Sequence, residues 1–78
     1  MVILRLFASI REIAGVSQFH FEADTVGRVI ELAVEEFGSE FAAALPTCRL
    51  WLNGIPAQET DPVTGGDELA ILPPVSGG

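Results

Sequence analysis

The chain has 78 residues, of which 49% are hydrophobic and 19% are charged, so it is long enough for one small domain and too short for two. Four Arg, no Lys and eleven acidic residues give a formal net charge of −7, which argues against binding to nucleic acid or to an anionic membrane and suggests a basic partner or simply solubility. The single Cys excludes an internal disulfide and fits a cytoplasmic protein.

The first half of the chain changes its hydrophobic period once. Residues 2–8 and 17–23 alternate with a period of two, which predicts two strands. The link between them, residues 9–16, is short, so we expect a turn-like connection and an antiparallel hairpin. Residues 25–37 then place their apolar side chains on one helical face, with Thr25 as the N-cap.

The second half returns to strands. We expect residues 39–47 to be irregular and residues 48–53 to form a third strand. Residues 55–64 contain two prolines, so any strand there should be short and at an edge. Residues 68–72 form a nearly continuous apolar run, which is typical of a strand buried on both sides, and Pro73-Pro74 should end the sheet.

This order of elements predicts an α+β protein with a β-grasp (ubiquitin-like) fold. We expect a small mixed sheet of four to five strands, covered by one main helix, with the first and last strands parallel at its centre. The β-grasp domain should span residues 1–74, and residues 75–78 should form a flexible C-terminal tail.

The last six residues, Pro-Pro-Val-Ser-Gly-Gly, are the most informative feature of the sequence. The prolines stiffen the exit from the domain, and Gly77 and Gly78 have no Cβ, so they can enter a passage too narrow for side chains. The α-carboxylate of Gly78 is ionised at neutral pH and is a poor electrophile. It must be activated, naturally as an acyl-adenylate made from ATP, before a sulfur nucleophile gives a thiocarboxylate or an amine gives an amide. The chain is therefore expected to be a reagent and not an enzyme on its own.

The sequence resembles the MoaD/ThiS family of ubiquitin-like sulfur carriers over essentially its whole length. The resemblance rests on Leu6-Phe7-Ala8, Arg11-Glu12, Ala14-Gly15, Thr25-Val26, Asn53-Gly54, Gly66-Asp67-Glu68 and the closing block Leu72-Pro73-Pro74-Val75-Ser76-Gly77-Gly78. The closing block is the most specific, because carriers of the thiazole branch usually lack the double Pro. The resemblance therefore favours the molybdopterin branch.

The resemblance implies a sequence of reactions at Gly78. A MoeB-like, E1-like adenylyltransferase would adenylate it with ATP, and a sulfurtransferase would convert it to a covalent thiocarboxylate, with no permanently bound cofactor or metal. The tail would enter a MoaE-like large subunit of molybdopterin synthase, within a heterotetramer, and give sulfur to cyclic pyranopterin monophosphate in molybdenum cofactor biosynthesis. The catalytic side chains would belong to that large subunit.

We expect a partner interface behind this tail. Its predicted members are Phe7, Leu72, Pro73, Pro74, Ile55, Pro56 and Arg11, followed by the tail residues Val75, Ser76 and Gly77. Phe7 is predicted to lie on the first strand, where an aromatic is either a core residue or part of an exposed apolar patch. His20 is interpreted as a surface residue in preference to a metal ligand, and Cys48 as a small buried residue in preference to a sulfur-relay thiol.

Three other functions remain open on the sequence. The chain is alternatively a ubiquitin-like modifier joined through Gly78 to lysines of target proteins, a ThiS-type sulfur carrier for thiazole synthesis, or a β-grasp interaction module that does not use its tail. Because the chain has no Lys, it cannot form side-chain-linked polymers of itself.

Overall fold

The structure is a computed structural model that describes residues 1–74, so the predicted tail residues Val75, Ser76, Gly77 and Gly78 lie outside the described part of the chain. The elements in chain order are β1 (Val2–Leu6), α1 (Ala8–Ala14), β2 (Gln18–Phe21), α2 (Val26–Phe37), α3 (Ser39–Ala44), a 3₁₀ turn (Leu45–Thr47), β3 (Arg49–Leu52), β4 (Ile55–Pro56) and β5 (Glu68–Leu72). None of these helices is long and apolar enough to cross a membrane.

The strands form one five-stranded sheet in the order β2-β1-β5-β3-β4. β1 and β5 are parallel neighbours at its centre, and β2, β3 and β4 pair antiparallel to their neighbours. This arrangement confirms the predicted β-grasp fold and the short edge strand after residue 54. It also means that β5, the last element before the tail, is held on both sides by hydrogen-bonded strands.

The core lies between one face of the sheet and the helices. Alternate residues of β1 and β5 point into it, and α1, α2 and α3 each contribute buried side chains. The buried residues are Val2, Leu4, Leu6, Ile10, Phe21, Val26, Val29, Ala33, Phe41, Val63, Leu69 and Ile71. Phe19 and Phe21 of β2 point inward, where their rings meet Phe37 at centroid distances of 5.5 and 6.5 Å.

The first turn of α2 is closed from two directions. Thr25 is the N-cap, as predicted, and its Oγ1 accepts a hydrogen bond from the backbone N–H of Arg28 at 3.1 Å. The N–H of Val26 and that of Gly27 donate to the carbonyls of Asp61 and Glu59 at 2.9 and 2.8 Å. Backbone hydrogen bonds therefore connect the start of α2 to the segment that leads into β5.

The prediction for residues 9–16 is wrong. This link contains the helix α1, and β1 ends at Leu6, so Phe7 occupies the N-cap of a helix and not a strand position. Ile10, Ile13 and Ala14 supply helical spacing, but over too few residues to stand out from a turn. The antiparallel pairing of β1 with β2 is nevertheless confirmed.

Residues 39–47 are also more regular than predicted. Phe41 of α3 is fully buried and packs on Phe37 at a centroid distance of 5.1 Å, so this segment closes the core and is not an irregular return. Three helices, and not one main helix alone, therefore contribute to the covering layer. An aromatic within a six-residue helix carries no detectable period, which is why the sequence did not indicate it.

β5 is buried on one side and not on both. Leu69 and Ile71 are completely buried, whereas Glu68, Ala70 and Leu72 are only half-buried. The apolar run therefore does not reflect burial on both sides, because half of its residues face the side of the sheet that the helices do not cover.

Candidate functional site

The helices cover one side of the sheet. No other element of residues 1–74 covers the opposite side, which we call the open face. Strand alternation and register assign to it Gln18 and His20 of β2, Ile3 and Arg5 of β1, Glu68, Ala70 and Leu72 of β5, Arg49 and Trp51 of β3, and Pro56 of β4. All of these side chains are half-buried or exposed. An uncovered sheet face with apolar side chains is a candidate contact surface for another protein.

One row of side chains runs across the whole open face. Arg5 is paired with Gln18 on one side and with Ala70 on the other, Ala70 with Trp51, and Trp51 with Pro56. The indole of Trp51 is the largest apolar group on this face, and the residue is half-buried, as is Ala70 beside it. Trp51 is thus placed as a flat apolar anchor near the centre of the open face.

A second cluster lies where the chain leaves the sheet, and we call it the tail end. β1 and β5 are parallel and in register up to Leu6 and Ile71, so Phe7 and Leu72 come directly after them at the same edge. The backbone of Phe7 is still extended, with φ −132° and ψ 154°, and the residue is 40% exposed. Leu72 and Pro73 are half-buried and Pro74 is exposed. The tail end therefore joins an accessible aromatic to the base of the predicted tail.

The structure brings together only part of the predicted interface. Phe7, Leu72, Pro73 and Pro74 meet at the tail end, and Pro56 lies on the open face against Trp51. Ile55 is 67% exposed but follows the Asn53-Gly54 turn at the other end of β3, so it is not part of this cluster. Arg11 lies on α1, one helical turn beyond Phe7, and is off the open face.

The charges of the open face differ from those of the chain as a whole. Nε of Arg5 donates to Oε2 of Glu68 at 2.9 Å, and both side chains are nearly half exposed, so this pair stabilises the fold by about 1 kcal/mol or less. Within residues 1–74, no carboxylate lies within 4.0 Å of the Arg49 guanidinium. The side-chain amide nitrogen of Gln18 lies 3.2 Å from Nε2 of His20. The open face thus presents more positive than negative charge.

A cleft of about 540 Å³ continues the open face at the edge of β3. Its lining residues are Cys48, Arg49, Leu50, Trp51, Pro56, Ala57, Gln58 and Glu59. The cleft exists because β4 has only two residues, so the chain turns away and leaves the start of β3 uncovered. A wide cleft with mixed polar and apolar walls is suited to a protruding group of a protein partner.

Cys48 lies between this cleft and a second cavity of about 410 Å³ below the helices. Its Sγ donates to the carbonyl of Ala44 at 3.3 Å, and burial raises the pKa of the thiol, an effect that the Thr47 side chain partly opposes. The thiol is therefore mainly protonated at neutral pH and is a weak nucleophile. Cys48 was expected to be buried, and it is half-buried where it packs against the core.

A hydrogen-bonded turn fixes the start of β5, at the opposite end from the tail. Asp67 accepts hydrogen bonds from the backbone N–H of Thr64 at 2.8 Å and from Nδ2 of Asn53 at 3.1 Å, and these bonds lower the pKa of its carboxyl. Oδ1 of Asn53 accepts from the N–H of Glu68 at 2.9 Å, and the N–H of Ile3 donates to the carbonyl of Asp67 at 2.8 Å. These hydrogen bonds hold the start of β5 in place, and they thereby set the direction in which the strand runs toward the tail end.

Arg49 and Trp51 were not among the interface residues predicted from the sequence, although both lie on the open face. A usable signal was present, because alternation along residues 48–53 places Cys48, Leu50 and Leu52 on one side and Arg49 and Trp51 on the other. What the alternation does not contain is the pairing of Arg49 with Leu72, which places the guanidinium at the base of the tail.

Comparison with known proteins gives a consistent result. A family model described as the ThiS family matches residues 4–78. A molybdopterin synthase sulfur carrier subunit of Chlamydomonas reinhardtii is 34% identical in an alignment of 76 positions that covers 92% of this chain and 92% of that one.

Solved structures resemble the chain over almost its full length. The crystal structure of SAMP1 from Haloferax volcanii is 28% identical, with a TM-score of 0.81 and coverage of 99% of this chain and 98% of that one. A chain in the complex of subunits 1 and 2 of molybdopterin-converting factor from Helicobacter pylori is 25% identical, with a TM-score of 0.65 and coverage of 99% and 97%.

Proposed function

We propose that this chain, which belongs to the ThiS family and is a ubiquitin-like sulfur carrier, is the small subunit of molybdopterin synthase. The observation that carries this proposal is the tail end: a central strand held on both sides ends at Leu72-Pro73-Pro74, beside the exposed side chain of Phe7. The Chlamydomonas relative of that name supports the assignment.

The proposed chemistry takes place at Gly78. An oxygen of its carboxylate attacks the α-phosphorus of ATP in an E1-like adenylyltransferase, and pyrophosphate leaves. A sulfide equivalent supplied by a sulfurtransferase then adds to the acyl carbon, AMP leaves, and a thiocarboxylate remains. Within the large subunit, two such thiocarboxylates would each transfer one sulfur to cyclic pyranopterin monophosphate to build the dithiolene, and water would restore the carboxylate of each Gly78. We place these events in the cytoplasm.

The tail end is suited to docking and not to proton transfer. Phe7, Leu72, Pro73 and Pro74 have no titratable side chains. Arg49 is the ionisable group nearest to them along the paired strands, and a guanidinium offers only hydrogen-bond donors. This supports the proposal that the catalytic side chains belong to the large subunit and that this chain supplies sulfur and a surface.

The open face and the tail end together are the proposed contact surface for the large subunit. Phe7, Trp51 and Leu72 offer accessible apolar area, which is the usual energetic centre of a protein interface. In the Helicobacter pylori structure, subunits 1 and 2 of molybdopterin-converting factor form a protein–protein complex, which supports a partner of this kind and, by extension, the proposed heterotetramer.

Reconstitution with purified proteins tests the function. The chain is incubated with the adenylyltransferase, ATP and a sulfur donor, and its intact mass should show one oxygen-to-sulfur exchange. The product is then mixed with the large subunit and cyclic pyranopterin monophosphate, and molybdopterin is measured. Deletion of Gly78 should abolish both signals, while Glu36→Gln on the exposed side of α2 serves as the matched control. Molybdopterin formation without Gly78 would show that the proposal is wrong.

A second candidate is supported by the likeness to SAMP1 of Haloferax volcanii, a small archaeal modifier protein. In that case the activated Gly78 would be attacked by lysine amines of target proteins. Peptide mapping of host proteins separates the two functions: a Gly-Gly remnant on target lysines that disappears when Gly78 is deleted supports the modifier. The complete absence of such remnants, together with a thiocarboxylate on the free chain, supports the carrier.

A further inference from the structure

The helical side of the molecule is acidic, whereas the open face carries more positive than negative charge. Its formal net charge is −7, and the exposed residues of α2 and α3 include Glu31, Glu35, Glu36 and Glu40. On the open face the charged side chains are Arg5, Arg49 and Glu68. The surface proposed for docking therefore has the opposite sign to the whole chain, and the basic partner favoured by total charge does not match it.

Arg5 and Arg49 are not equivalent on this face. Arg5 is neutralised by Glu68 at 2.9 Å, whereas Arg49 has no carboxylate within 4.0 Å among the described residues. Glu59 lines the same cleft as Arg49 but is farther from it than this limit. Arg49 is thus the guanidinium on the open face that an incoming group can pair with.

The position of Arg49 makes this pairing necessary for a partner that covers the apolar anchors. The register places Arg49 directly opposite Leu72, and Trp51 follows two residues later on the same side of β3. A partner surface that packs on both Leu72 and Trp51 therefore also covers Arg49. Removing a guanidinium from water without an acceptor is strongly unfavourable, as it is for other unpaired buried charges.

We infer that the partner of the open face presents a carboxylate to Arg49, flanked by apolar side chains that pack on Leu72 and Trp51. This inference rests on the proposed function and adds to it the chemistry of the partner surface. An Arg–carboxylate pair is directional and often bidentate, so it would fix the position of the docked chain about its tail end. At physiological ionic strength, charges more than about 8 Å apart are largely screened, so the acidic side chains of the helical side do not prevent a contact with Arg49.

Charge variants of two arginines test the inference. The dissociation constant of the full chain for the large subunit of molybdopterin synthase from the same organism is measured by calorimetry at low and at high salt. Arg49→Glu should weaken binding about 30-fold or more at low salt, and Arg49→Gln about 5-fold to 10-fold. Arg28→Glu on α2 makes the same charge change on the helical side and should stay within about 2-fold of the wild type. Melting temperatures show that each variant is folded.

Several results would contradict the inference, and one of them would also contradict the proposed function. Binding of Arg49→Glu within about 2-fold of the wild type, or tighter binding as a basic partner surface would give, overturns the inference and leaves the proposed function standing. An equal loss for Arg28→Glu also overturns it, because the effect would then come from net charge. If the wild-type chain does not bind the large subunit, the proposed function is wrong and the inference falls with it.

Discussion

The two faces of the same sheet have different tasks. On the helix-covered face, Leu4, Leu69 and Ile71 are completely buried, and three helices close over them. On the open face, Ala70 and Leu72 of the same strand are half-buried, and Arg49 and Trp51 stand beside them. The apolar residues of β5 therefore alternate between the core and the surface proposed for docking. Substitutions at neighbouring positions of β5 should therefore differ in effect: one position should change stability, and the next should change partner binding.

The largest effect on stability is expected on the covered face. Leu69→Ala removes a fully buried side chain from the central strand and should lower the free energy of unfolding by about 2–5 kcal/mol. Urea unfolding of the purified chain, followed by circular dichroism, measures this change. The matched variant Leu72→Ala, three positions later on the open face, should cost about 1 kcal/mol or less. Equal losses for the two variants would contradict the division between the faces.

The largest effect on binding is expected on the open face. Trp51→Ala should weaken binding to the large subunit about 10-fold to 100-fold, because a Trp side chain is a typical energetic centre of an interface, while the free energy of unfolding should fall by about 1–2 kcal/mol, less than for Leu69→Ala, because the side chain is only half-buried. Calorimetric titration and urea unfolding of the same preparation measure both quantities. Unchanged affinity would remove Trp51 from the proposed interface.

A smaller effect on stability is expected at the turn before β5. The hydrogen bonds from Thr64 and Asn53 lower the pKa of Asp67 from its ordinary value near 3.8. A carboxyl whose pKa is lower in the folded protein stabilises the fold above its unfolded pKa, and this stabilisation is lost as the pH falls through the folded value. Asp67→Asn should therefore lower stability at neutral pH and flatten its decline in acid.

Urea midpoints of wild type and Asp67→Asn across the acidic range check this prediction. Glu36→Gln, on the exposed side of α2, is the control for loss of a carboxylate outside a hydrogen-bonded turn. Because Asp67 lies at the end of β5 opposite the tail end, its replacement should leave affinity for the large subunit unchanged. A pH dependence identical to that of the wild type would show that this turn does not contribute.

The smallest effect is expected at the start of α2. Thr25→Ala removes the hydroxyl that accepts from the N–H of Arg28 and should cost about 1 kcal/mol. The loss is limited because the first two N–H groups of the helix are held by Asp61 and Glu59 and keep their partners. Thermal unfolding measures it, and a large loss would mean that the Thr25 hydroxyl, and not this segment, holds the helix start.

Much of the fold follows from the sequence because its period is regular where the elements are long. Alternation in residues 2–6 and the apolar run of residues 68–72 predict the two central strands, and the helical face of residues 25–37 predicts the main helix. The helix α1 and the helix α3 were missed since seven and six residues are too few to establish a helical period. Phe7 was accordingly expected on a strand and is found at a helix N-cap.

The candidate site is less predictable, because it depends on pairings between distant parts of the chain. Leu72 and the double Pro stand out in the sequence, but the ion pair of Arg5 with Glu68 and the position of Arg49 opposite Leu72 arise only from the parallel and antiparallel neighbours of β5. Total charge favours a basic partner, whereas the charges gathered on the open face indicate an acidic one. The sign of a surface is set by topology and not by composition.

The most direct test of the account is the intact mass of the chain recovered from cells that make molybdopterin, followed by fragmentation. The account predicts that one oxygen is exchanged for sulfur and that the exchange maps to Gly78. Sulfur added to Cys48 as a persulfide, with the carboxyl of Gly78 unchanged in every molecule, would contradict it.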